Sequence, residues 1–117
     1  MSVHAKRVYE EPAKSDGYRV LVDRVWPRGL TKADVDMDEW LKDVAPSSAL
    51  RKWFGHVPSR FPEFRTRYEE ELEGTDALAH LRKVVADHTD VTLLYSAKDE
   101  GHNQAVVLRD LVSSSGG

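Results

Sequence analysis

Cysteine is absent from this chain. That one absence removes disulfides, thiolate zinc centres, cysteine-ligated iron–sulfur clusters and cysteine nucleophiles together. A disulfide-free chain suits a reducing compartment. No apolar run approaches the roughly 20 residues that a membrane span needs. The start, Met1–Arg7, lacks the apolar centre of a secretory leader and moves directly into a strand-like pattern. A cytoplasmic protein with no membrane partner is the expectation. A Gly-rich phosphate loop, a dinucleotide fingerprint and a helix with two histidines four apart are also missing, so neither cofactor nor metal is expected. A metal site would need His56, His102 and a distant acid to meet.

Positive charge is not in excess either: 17 Lys and Arg stand against 20 Asp and Glu, a net charge of −3. This balance argues against a nucleic-acid partner. Basic residues beside aromatic ones (Lys52-Trp53, Arg60-Phe61, Arg67-Tyr68) are explained by amphipathic helices. The charge is unevenly spread. Residues 1–60 carry 11 basic and 9 acidic side chains, and residues 61–117 carry 6 and 11. An anion site would therefore recruit from the first half.

What is present is the composition of an ordinary globular domain, 40% hydrophobic and 32% charged over 117 residues. One α/β domain over 1–112 and a disordered polar tail over 113–117 are expected. Val3–Tyr9 reads as a weakly alternating strand, and Tyr18–Asp23 as a buried one. A short helical turn at Thr31–Asp34 and a short strand around Asp38–Leu41 follow. Ser47 or Ser48 caps a helix that carries Leu50, Trp53 and Phe54 and stops at Gly55. A second helix, from about Ser59 to Glu73, places Phe61, Phe64, Tyr68 and Leu72 on one face, and a third covers Ala77–His88. Val91–Tyr95 is the clearest strand, and a last helix spans about His102–Val112. Strands near both ends with helices between them predict a small, mostly parallel sheet flanked by helices, a Rossmann-like three-layer arrangement. Strand order is left open.

In such sheets ligands sit beyond the carboxyl ends of the strands. Two polar loops occupy that position, Asp23–Gly29 and Ser96–Asn103. If their strands are parallel neighbours, Arg24, Arg28, Lys98, His102 and Asn103 converge. Lys98 supplies a point charge there, the last helix supplies free N–H groups, and His102 and Asn103 supply side-chain donors. Arg24 and Arg28 suit bidentate contact with carboxylate or phosphate. Each of these residues also has a structural reading. Asp99 is expected to cap the last helix, Trp26 to pack while lining a pocket wall, and Arg24 to serve equally well as a strut paired with Asp23 or another acid. His102 or His56 would move a proton if there is chemistry. Tyr95 and Ser96 would donate hydrogen bonds. Ser96 with Lys98 lacks the setting of a serine nucleophile.

The runs Asp23-Arg24-Val25-Trp26-Pro27-Arg28-Gly29, Trp40–Ser47, Leu50–His56 and Leu94–Ala105 closely resemble the YeaO-like family of small bacterial proteins, a domain of unknown function. The resemblance covers about Lys6 to Leu111. It implies a compact bacterial α/β protein and transfers no activity. A related branch carries Cys where Tyr95 stands and a Cys-His-Arg run in place of Asn103-Gln104-Ala105, so thiol chemistry does not carry over. The leading expectation is a protein that binds a small anionic molecule, phosphate- or carboxylate-bearing, with acid/base chemistry open. Its rival is a non-catalytic regulatory or interaction module in which the same charged residues form a structural network.

Overall fold

The computed structural model describes residues 2–114. Its sheet has four parallel strands: β1 (Ser2–Arg7), β2 (Tyr18–Leu21), β3 (Glu39–Trp40) and β4 (Asp90–Tyr95), in the order β1-β4-β2-β3. The helices are α1 (Lys32–Val35), α2 (Ser48–Phe54), α3 (Phe61–Leu72), α4 (Asp76–Asp87) and α5 (Gln104–Ser114). This is the three-layer α/β arrangement that the pattern of elements predicts.

Strand alternation divides the sheet into two faces. Val20, Val91, Leu93 and Tyr95 pack with the apolar stripes of α2 to α5 in the larger core. Leu21 and Leu94 point the other way, to Val8, Val35 and the partly buried Trp26, Leu30, Met37 and Trp40. Four helices thus cover one face, while α1 and loops cover the other. Each fully buried Leu or Val contributes about 1.5–3 kcal/mol.

The second face is crossed by irregular chain that ends in a short 3-10 turn, Lys14–Asp16, rather than by an α-helix. Residues 8–17 carry the backbone from the end of β1 to the start of β2, with β4 lying between the two strands. So short a parallel connection has to be pinned. Asp16, buried at the end of this crossing, pairs with Lys6 at 3.0 Å and with the buried Arg19. Thr92 on β4 donates to the Asp16 carbonyl at 2.7 Å. Arg19 also donates to the Asp36 and Val35 carbonyls at 2.8 and 2.7 Å, which holds α1 down. Burial pushes the Asp16 carboxyl up, but the Ala13 N–H, Lys6 and Arg19 outweigh it and hold it below the usual value. Its contribution to stability is complete above the unfolded carboxyl range and disappears as the pH falls through the lowered value.

Several boundaries move for identifiable reasons. The expected helix from Ser59 begins as a 3-10 turn, Pro58–Arg60, and becomes α-helical at Phe61. The third strand shrinks to two paired residues. The last helix starts at Gln104 rather than His102, and Asp99 is not its cap: Asn103 Oδ1 accepts the Val106 N–H at 3.1 Å. Asp99 instead accepts the N–H groups of Gly101 and His102 at 3.0 and 3.1 Å, which fixes the preceding turn. α5 continues through Ser113 and Ser114, and residues 115–117 of the expected tail lie outside the described residues. No described helix is long and apolar enough to cross a membrane.

Gly17 turns the crossing into β2 at φ 67°, and a Cβ there would lie 2.3 Å from the Asp90 carbonyl oxygen. Both the left-handed backbone and the contact with backbone exclude a side chain. Gly17→Ala should therefore lose about 2–4 kcal/mol in urea unfolding; a loss under 0.5 kcal/mol would contradict this packing.

Candidate functional site

β2 and β4 are parallel neighbours, so the loops that follow them open on the same edge of the sheet. Between them lies a cavity of about 770 Å³, a size suited to a small molecule. Arg24, Trp26 and Arg28 line it from the first loop; Ser96, Lys98 and Asn103 line it from the second. His56 reaches it from beyond α2. Tyr95 and His102 do not line it. Tyr95 is buried beneath in the core, where burial and the charges of Glu100 and Glu10 push its phenol up. His102 is held by the Asp99 carboxylate at 2.9 Å and meets the Phe61 ring edge-on, with centroids 5.2 Å apart.

Asp23 closes the floor of the cavity. It is the first polar residue after the apolar run of β2, and it is 7% exposed. Its carboxylate accepts the Ser96 N–H at 2.9 Å and the Gln104 amide on α5. Its carbonyl accepts the Trp40 indole N–H at 2.7 Å. One residue thus ties the two loops to α5 and to β3. Burial raises the Asp23 carboxyl above its usual value, against the lowering pull of Ser96, Gln104 and the Arg51 charge. Arg24 is not its partner, since that guanidinium donates to the Ala45 carbonyl at 3.3 Å.

Several lining residues escaped the sequence reading. Arg7 ends β1 and donates to the Ala97 carbonyl at 3.0 Å with its guanidinium over the Tyr9 ring. It became visible only with the strand order, which puts β1 beside β4. Arg51 comes from α2, one turn before Phe54, whose ring also lines the cavity. Asp23 carried a signal in its position at the end of a buried strand.

The site therefore holds five basic side chains, Arg7, Arg24, Arg28, Arg51 and Lys98, against two carboxylates, Asp23 and Asp99. Both carboxylates are engaged elsewhere. The Gly101 N–H first, and the His102 ring, hold Asp99 below its usual value. His56 lies at φ 59° directly after Gly55 at φ 54°. A left-handed non-glycine residue costs about 1 kcal/mol or more, here at the cavity edge. Trp26, Pro27, Phe54 and Phe64 add an apolar wall. Among the described residues no three His, Asp or Glu gather as a metal cluster.

Residues 2–115 match the family model described as the inactive DUF488-N3 subclade. The chain is 46% identical over 111 residues to the uncharacterised protein Rv3073c of Mycobacterium tuberculosis (strain ATCC 25618 / H37Rv), covering 95% of this chain and 93% of that one. It is 43% identical over 114 residues to the uncharacterised protein YeaO of Escherichia coli (strain K12), covering 97% and 99%. No solved structure matches.

Two substitutions test the Asp23 junction. Asp23→Ala strands the Ser96 and Gln104 donors and should cost about 2–3 kcal/mol in urea unfolding. Asp23→Asn can keep both bonds if the Gln104 amide rotates, and should stay within about 1 kcal/mol of wild type at pH 7. A raised folded-state value means that Asp23 favours folding below the unfolded carboxyl range and loses this as the pH rises. Wild type should therefore gain on Asp23→Asn as the pH falls from 7 to about 4. A pH-independent difference would contradict the burial argument.

Proposed function

The chain belongs to the inactive DUF488-N3 subclade, and from that premise we propose that it works by binding rather than turnover, its cleft receiving a small molecule with a phosphate or carboxylate group. One observation carries the reading: among the described residues, none of the five cleft cations is ion-paired with a carboxylate. Positive charge gathered in a concave, partly apolar setting and left unpaired favours an anionic guest, because low-dielectric walls focus the field. Arginine adds a fork that matches carboxylate and phosphate oxygens. Arg24, Arg28 and Lys98 furnish attraction, Ser96 and Asn103 polar contact, and Trp26 an apolar wall. Tyr95 and His102 support the floor and the turn from behind. His56 is the one imidazole at the cavity, so any proton transfer would pass through it.

The rival network reading, in which Arg24, Arg28 and Lys98 lock the loops by salt bridges, has no support in the ion pairs. The buried network of the described residues is the Lys6–Asp16–Arg19 cluster on the other face of the sheet. The description of the subclade as inactive agrees with binding without catalysis.

Inorganic phosphate, pyrophosphate and citrate should each be screened by thermal unfolding, since a ligand of the folded state raises the melting temperature by mass action. At least one should stabilise wild type in a saturable way. Arg51→Ala and Lys98→Ala should each weaken that ligand about tenfold, the worth of one charged hydrogen bond. Unliganded stability of Lys98→Ala should stay within about 0.5 kcal/mol of wild type, because that side chain is unpaired, whereas Arg51→Ala also removes the charge that acts on Asp23. No saturable stabilisation of wild type, or a wild-type response from the Arg51→Ala/Lys98→Ala double variant, would overturn the proposal.

A further inference from the structure

The buried carboxylate that joins the two loops also lines the cavity. Asp23 repels the guest that the surrounding cations attract, and its burial already opposes its charge. Its bonds to Ser96 and Gln104 account for its place in the fold, and the acceptor capacity that they leave faces the cavity, where a ligand that donates would gain from it. A carboxylate offers about four acceptor positions; the Ser96 N–H, the Ser96 hydroxyl and the Gln104 amide take up three of them and leave one for a donor from the cavity. No cation hydrogen-bonds to the remainder: Arg24 donates to the Ala45 carbonyl and forms no ion pair with Asp23, and Arg51 acts on Asp23 through its field. The cavity thus combines an outer ring of cations with one acceptor at its floor.

Resting on the anion-binding reading, we propose that the ligand is a hydroxyl-bearing phosphate of the polyol or sugar phosphate class, with a ligand hydroxyl donating to the Asp23 carboxylate. An ammonium group would also satisfy a carboxylate, but it would enter against Arg7, Arg24, Arg28, Arg51 and Lys98. A neutral hydroxyl meets the acceptor without that repulsion. The apolar wall of Trp26, Pro27 and Phe54 suits the C–H surface of such a backbone. Binding of the hydroxyl favours the ionised carboxylate, so the ligand supplies the donor that burial withholds.

The test compares two esters of similar length by calorimetric titration, sn-glycerol 3-phosphate and n-propyl phosphate, which differ in their hydroxyl groups, with inorganic phosphate alongside. A hydrogen bond to a charged acceptor is worth about tenfold or more in affinity, so wild type should prefer glycerol 3-phosphate by at least about that factor. In Asp23→Asn the preference should fall below about threefold, since loss of the charge weakens the acceptor. Equal binding of the two esters by wild type overturns this inference and leaves the anion site standing. A preference unchanged in Asp23→Asn also overturns it, because the hydroxyl is then read by another group. Failure of both esters and of inorganic phosphate to bind contradicts the anion site itself, and this inference with it. Should Asp23→Asn fail to fold, the wild-type ratio still decides: about ten or more supports the assignment, and near one refutes it.

Discussion

The Asp23 carboxylate is where the chain's separate pieces are joined. It sits one residue beyond Val22, whose N–H still bonds to the Leu94 carbonyl of β4 at 3.1 Å. From there it receives a backbone donor from the second loop and a side-chain donor from α5. Its own carbonyl holds Trp40 and with it the edge strand. Two loops that follow neighbouring parallel strands would otherwise be free to separate, since neither contains regular structure. Joined at Asp23, they form opposite walls of one cavity and keep Arg24, Arg28 and Lys98 around a common space. The desolvation cost of the carboxylate is offset only in part by those donors and by the Arg51 charge, and its carboxyl stays raised.

A second buried acid, Asp16, does a different job on the other side of the sheet. It is surrounded by cations and donors that outweigh burial, so its carboxyl is lowered, whereas that of Asp23 is raised. The contrast separates a structural ion cluster from a carboxylate that is held by neutral donors and has no ion-pair partner. Lys6, Asp16 and Arg19 neutralise one another where the chain crosses β4 without an α-helix. None of the cleft cations forms an ion pair among the described residues, and Arg51 alone acts on a carboxylate of the fold, through its field on Asp23.

The fold was legible where periodicity and capping agreed. The stripe Phe61, Phe64, Tyr68, Leu72 and the run Val91–Tyr95 announced α3 and β4, and Thr31 and Thr75 cap α1 and α4 through their side chains. The place of the cleft could also be read, because Asp23–Gly29 and Ser96–Asn103 follow the two most apolar strands. What could not be read depends on tertiary pairing. Strand order brings Arg7 to the site, and α2 docking brings Arg51, but neither leaves a local mark. The competition between Asp99 and Asn103 for the start of α5 turns on loop geometry, and it moves His102 away from the cavity and against Phe61. Asp23 looks in sequence like the end of a strand or the partner of Arg24. Its role emerges only when Ser96 and Gln104 are seen around it.

The central claim, that the Asp23-joined loops hold a cationic anion site, is tested most directly by following backbone amide shifts in an NMR titration with pyrophosphate. The account predicts saturable shifts clustered at Arg24, Ser96, Ala97, Lys98 and Gln104, with Lys6, Arg19 and the α3–α4 surface unmoved. Shifts scattered over the exposed basic residues of α3 and α4, or no saturable shift within the two loops, would contradict it.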